Sequence, residues 1–192
     1  MNLISLEDYK TYKGIAGFTE DSKITPLIAS VSQLIKTYCN RQFLDYYAVD
    51  LTEFFTVTWE STVLRLKEVP VVSITSVAER ENVSSAYVTL DASEFYLDPF
   101  TDSIYRVDGS EFKPFKMGPG AVRVIYKAGY ATCPEDLKLA TIDMVNYYFK
   151  EDYKTARSIG TASMQGPSTN RNIVGSAAFP DHIKRVLDLY RL

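Results

Sequence analysis

Apolar residues recur along this chain with two periods, and the change of period divides it. From Ile24 to Tyr38 they fall at Ile24, Leu27, Ile28, Val31, Leu34, Ile35 and Tyr38, the three- and four-residue steps of one helix face. Ser30, Ser32, Gln33, Lys36 and Thr37 make the other face. Thr25-Pro26 offers an alternative start as cap and first position, and Asn40 is a stop. The same spacing returns at Leu137, Ala140, Met144, Val145 and Tyr148, with Leu139, Ile142 and Phe149 on another face. A helix apolar on most sides is buried on most sides. This one is predicted to be a central core helix, or one that also packs on a neighbouring subunit, with the Ile24–Tyr38 stripe against it. Its start reads as Thr132 or Cys133 for the cap and Pro134 for the first position. Glu135 and Asp136 sit where negative charge favours a helix N-terminus.

Two shorter helices flank these. Ser5 followed by Asp8 is a variant capping box, opening a helix with Leu6 and Tyr9 on one face that Gly14 and Gly17 end. Thr19 to Ser22 read as a turn or a second helix start. Near the end of the chain, Ile183, Val186, Leu187 and Tyr190 share a face of a short helix within Phe179–Leu192.

From Phe43 the pattern is β-branched and aromatic, in short runs. The runs are Thr52–Thr58, Val63–Leu66, Val71–Val77, Tyr87–Leu90, Glu94–Asp98, Ile104–Val107 and Ala121–Lys127. Glu60-Ser61, Pro70, Asp98-Pro99, Asp108-Gly109 and Gly118-Pro119-Gly120 punctuate them. Strands bounded in sequence by helices predict an α+β fold: a small helical bundle with an inserted antiparallel β region. The predicted parts are N-terminal helices over 1–42, a β-rich insertion over 43–130, a core helix over 131–154, a flexible arm over 155–178 and a C-terminal helix over 179–192. The arm rests on composition, since Gly, Ser, Thr, Asn and Pro dominate it and cannot sustain a core.

The 192 residues carry a net charge of −3, unevenly spread: residues 1–100 sum to −6 and residues 101–192 to +3. An acidic whole argues against a dedicated nucleic-acid binder, because phosphate contacts need clustered cations. A passage for DNA has no such need. The 14 tyrosines suit either protein interfaces or half-exposed strands. The two cysteines, Cys39 and Cys133, are far apart and read as reduced, buried thiols. No signal peptide or membrane span is expected from the apolar runs. His182 is the one histidine, beside Pro180 and Asp181, with no second histidine for a metal. No phosphate-binding glycine loop occurs. Glu135-Asp136 and Glu151-Asp152 read as charges at helix ends. No catalytic residue, cofactor or metal is expected.

Six stretches in order resemble one family. They are Ile28–Phe43, Glu68–Val77, Ser93–Asp98, Val122–Tyr130, Pro134–Ala140 and Pro180–Arg191. Together they look like the head-to-tail connector, or adaptor, proteins of tailed double-stranded DNA bacteriophages. The resemblance implies a structural virion protein, assembled in the host cytoplasm and placed at the neck. It implies a dodecameric ring docked under a portal protein, extending the DNA channel without sequence-specific binding and presenting a surface to a stopper or tail protein. A stopper or tail-completion protein of the same region is an alternative, and an enzyme or ligand-binding β module is another. Within the connector reading, the basic arm and last helix are the expected portal-docking element. Its residues are Lys154, Arg157 and Arg171, then Ile183, Lys184, Arg185, Val186, Leu187, Tyr190 and Arg191.

Overall fold

The computed structural model describes residues 1–150, 157–159, 162–164 and 179–191, which fold as two units. One unit is built from residues 1–41 and 133–192, the other from residues 42–132.

The first unit is helical. Helix α1 (Leu6–Lys13) opens on the predicted capping box: the Ser5 hydroxyl accepts from the Asp8 N–H, and the Asp8 carboxylate accepts from the Ser5 N–H. Gly14 closes it in the left-handed region at φ 67°, where glycine carries no steric penalty. Helix α2 (Asp21–Cys39) starts earlier than the apolar stripe, so Pro26 lies inside it and neither Thr25 nor Pro26 begins it. Asn40 ends it in the left-handed region, as read from sequence. Helix α3 (Glu135–Phe149) has Pro134 in the cap position instead of the first turn, and no side chain caps it. Helix α4 is Asp181–Asp188. Strands β9 (Arg157–Ile159) and β10 (Ala162–Met164) pair antiparallel within the span read as an arm; a ladder of backbone groups needs no apolar core. The rest of 155–178 lies outside the described residues.

Helix α2 packs on α3, and α4 packs on both. Ile24, Ile28, Val31 and Ile35 of α2 meet Leu137, Met144 and Val145 of α3 in a core where each is almost fully covered. Leu34, Leu27 and Tyr38 are half-buried flanks, a correction to the broader predicted stripe. Ser32 and Lys36, read as solvent-facing, are buried instead. The Ser32 hydroxyl accepts from the Leu3 N–H at 3.1 Å, because Leu3 and Ile4 run into the core ahead of α1.

Apart from a 3-10 turn at Ala92–Glu94, the regular structure of the second unit is β. Strands β1 (Leu51–Val57), β3 (Val71–Glu79), β4 (Val88–Thr89) and β8 (Gly118–Ala128) form an antiparallel sheet in the order β1-β8-β3-β4. Strands β2 (Val63–Arg65), β5 (Phe95–Asp98) and β6 (Ser103–Asp108) form another in the order β2-β6-β5, and β7 (Glu111–Phe112) pairs with β6. Alternation along β8 sends Val122, Val124 and Tyr126 inward to meet Leu64, Ile104 and Phe115 from the second sheet's side. Gly118-Pro119-Gly120, expected as a turn, is the first part of β8, where the register with β1 shifts between Phe55 and Val57. A bulge of this kind tolerates proline and glycine that a regular ladder would not.

Glu68, Glu79, Ser103, Arg106 and Tyr126 are buried polar residues of this β unit. The Tyr126 hydroxyl donates to Glu53 at 2.7 Å and accepts from the Glu68 N–H at 3.1 Å. Arg106, 5% exposed, lies 3.6 Å from the Glu79 carboxylate through Nε, while Nη2 donates to Glu94 at 2.9 Å and Nη1 to the Glu94 carbonyl at 2.6 Å. Gly129, at φ 98°, is required by a close approach: a Cβ there would stand 2.1 Å from the Phe43 carbonyl oxygen, which accepts from the Tyr130 N–H.

Candidate interaction surfaces

The last helix shows how the predicted docking residues are placed. Ile183 and Leu187 are 1% and 0% exposed, taken into the core of the helical unit. Val186, Lys184 and Tyr190 are half-buried, and Arg185 and Arg191 are exposed. Around this apolar contact the end of the chain is tied down by polar groups. Tyr38 donates to Asp188 at 2.5 Å, Arg41 to the Tyr190 carbonyl at 3.4 Å, and the Tyr190 hydroxyl to Asp136 at 2.6 Å. Cys39 lies under Leu187, and burial pushes its thiol up to about 11. The apolar face of α4 is therefore used at home instead of being offered outward. A short amphipathic helix lowers its free energy most by covering the nearest apolar surface, and α2 and α3 supply one. Arg157 opens β9, while Lys154 and Arg171 lie outside the described residues.

A second surface lies between α1 and α3. A groove of about 400 Å³ is floored by Ile142 and by the exposed Leu139 and Tyr12, at 43% and 54%. Periodicity counted Leu139 as part of a helix buried on most sides; that face is open instead. One side of the groove is locked by Lys138, whose ammonium sits 2.7 Å from Asp8. The Lys138 contact, with the Ser5 hydroxyl and N–H, holds the Asp8 carboxyl near 2. Glu7 and Glu135 also line the groove, are exposed, and take no part in the described ion pairs of this unit, Lys10–Asp21, Lys13–Asp143 and Asp8–Lys138.

The third surface is the outer face of the β1-β8-β3-β4 sheet. Register places Arg123, Ile125 and Lys127 of β8 beside Phe54 and Thr52 of β1 and Ser73, Ser76 and Ala78 of β3. Tyr87 leans over this face, its hydroxyl donating to the Gly120 carbonyl at 2.6 Å and its ring 6.2 Å from that of Phe54. The Arg80 and Arg123 guanidinium groups lie 4.9 and 4.6 Å from the Tyr87 ring, cation–π distances. Arg80 also donates to the Val83 and Pro119 carbonyls, so it anchors the strand ends. Arg123 has a buried Nε with no acceptor. The sequence signalled this surface only through its tyrosines and alternation, and neither located it.

Among the described residues, no group of three or more His, Cys, Asp or Glu side chains could hold a metal ion. His182 is exposed. Among the same residues no helix is long and apolar enough to cross a membrane.

The model of the head completion protein family matches residues 2–192. The chain belongs to the head completion protein family. A relative from Escherichia phage T5, itself named head completion protein, is 29% identical over 192 residues, all of this chain and 99% of that one. The fold of this chain also matches solved structures. One, from the neck of an empty gene transfer agent particle computed with C6 symmetry, covers 98% of this chain and 89% of its own at 14% identity and a TM-score of 0.60. Another, from the neck of the native particle computed with C12 symmetry, covers 100% and 93% at 14% identity and a TM-score of 0.54.

Proposed function

We propose that this protein is a structural component of the virion neck. Its copies form a ring that docks under the portal, lengthens the DNA channel and presents the platform for a stopper or tail protein. The observation that carries this reading is the whole-chain family match, joined to a fold shared over nearly the full length with proteins solved in particle necks. The charge distribution agrees with a DNA passage. The β unit, residues 42–132, holds 8 Lys/Arg and 13 Asp/Glu, a net −5 that repels phosphate. In this reading the basic positions after α3, namely Lys154, Arg157 and Arg171, and the exposed cations of α4, Arg185 and Arg191, meet the portal. Ile183 and Leu187 hold α4 in place. Electron microscopy of the purified protein mixed with its portal tests the assignment: a ring of density under the portal supports it. Density on a tail tube alone would favour the stopper or tail-completion role, and no association with either would overturn both.

A further inference from the structure

Two faces of this chain are left chemically incomplete in complementary ways. The outer face of the β1-β8-β3-β4 sheet presents Phe54, 59% exposed, on its β1 edge. Its charges on β8 are Arg123 and Lys127; Asp50, just before β1, stands opposite Lys127 and accepts from Thr75, whereas Phe54 and Ala78 flank Arg123 and no carboxylate is registered beside it. Arg123 stacks on the Tyr87 ring and takes no part in the described ion pairs of its unit. The α1–α3 groove differs: Leu139 and Tyr12, the latter with Lys13 over its ring, form an open floor, and Glu7 and Glu135 line it outside the described ion pairs of the unit.

From this pairing we infer that the sheet face of one copy seats on the α1–α3 groove of the next. Phe54 lies over Leu139 and Tyr12, and Arg123 and Lys127 face Glu7 and Glu135. The occupant of each face is a second copy of this chain, because both halves of the match are on it. The two faces differ, so the contact is heterologous. Such contacts repeat head to tail, and they close into a ring when the rotation permits. The inference deepens the ring reading above by naming the surfaces that make it. Aromatic and arginine groups at the centre of a contact, with charge pairs around them, are the arrangement that concentrates binding energy.

The test is sedimentation velocity of the purified full chain over rising concentration, with three proteins. The wild type should self-associate. Arg123→Glu, and separately the Glu7→Lys/Glu135→Lys double variant, should each weaken association by about tenfold or more. An equimolar mixture of the two variants should recover the wild-type level, since alternating copies then place opposite charges across every contact. Lys127→Glu stands in if Arg123→Glu lowers the melting temperature. Variants that associate like the wild type, or a mixture no tighter than its components, would overturn the inference. So would a wild type that stays monomeric throughout. None of these results bears on the neck assignment, which stands or falls on the microscopy with the portal.

Discussion

The two units of this protein spend their charges differently. In the helical unit the described ion pairs Lys10–Asp21, Lys13–Asp143 and Asp8–Lys138, with the Tyr38–Asp188 hydrogen bond, lie at the rim of a mainly aliphatic core that also takes in Ser32, Lys36, Arg41 and Thr141. The β unit has exposed pairs too, Lys113–Asp108 and Lys116–Glu81, but it also places a charged cluster inside, where Arg106 sits with Glu79 and Glu94, and Tyr126 bridges Glu53 to the Glu68 backbone. The net charges also differ: the helical unit holds 13 Lys/Arg and 11 Asp/Glu for +2, against −5 in the β unit. A rim tie can be lost to water at small cost, whereas a buried one leaves its partner stranded in a poor solvent. The rim ties of the helical unit should therefore forgive substitutions that the Arg106 cluster of the β unit will not.

The sharpest test of that contrast is Arg106→Ala. It leaves Glu79, 7% exposed, without its cation, and should destabilise the β unit by about 3–5 kcal/mol in chemical denaturation. A loss under about 1 kcal/mol would mean the buried charge is solvated after all. Next in size is the helical core: Met144→Ala, at 0% exposure, should cost about 2–5 kcal/mol, and Leu34→Ala, half-buried, distinctly less. Equal losses at the two positions would show that the α2 stripe is covered more widely than its exposure indicates.

Ser5→Ala removes one half of the capping box and should cost about 1 kcal/mol in thermal melting. The smallest effect expected is that of Asp8→Asn, under about 1 kcal/mol at neutral pH because the Lys138 pair is partly solvated. Its signature lies in pH. Folding lowers the Asp8 pKa from 3.8 to about 2, so the wild-type advantage is complete above 3.8 and disappears as pH falls through about 2. Melting curves of wild type and variant should converge over that window. Curves that stay parallel would show that Asp8 is not held by its charge.

Much of the helical unit is legible in the sequence because its signals are local. The Ser5–Asp8 box, the Asn40 stop and the Ile24–Ile35 spacing each act within one or two turns, and each appears in the structure where it was read. The errors came from position on a face. Ser32 and Lys36 look solvent-facing by residue type, but both are buried, Ser32 against the chain before α1, and no spacing within α2 records that. Leu139 looks buried by hydrophobicity, but α1 covers only part of that side and leaves a groove. Gly118-Pro119-Gly120 has the composition of a turn, and only pairing with a bulged β1 makes it strand.

By itself the sequence determined the α+β class, the helices and their core stripe, the strand-rich middle and the resemblance to virion connectors. Periodicity, capping and composition act over a few residues, and family motifs are strings. Tertiary structure alone decided that Ile183 and Leu187 are consumed in their own core and that Arg106 is buried between carboxylates. It also decided that Arg123 stacks on Tyr87 and that Glu7 and Glu135 line the same groove. Each of these joins side chains separated by tens of residues, and the exposure of a face depends on what the rest of the chain leaves uncovered. No local rule carries that information, because burial is a property of the packed whole.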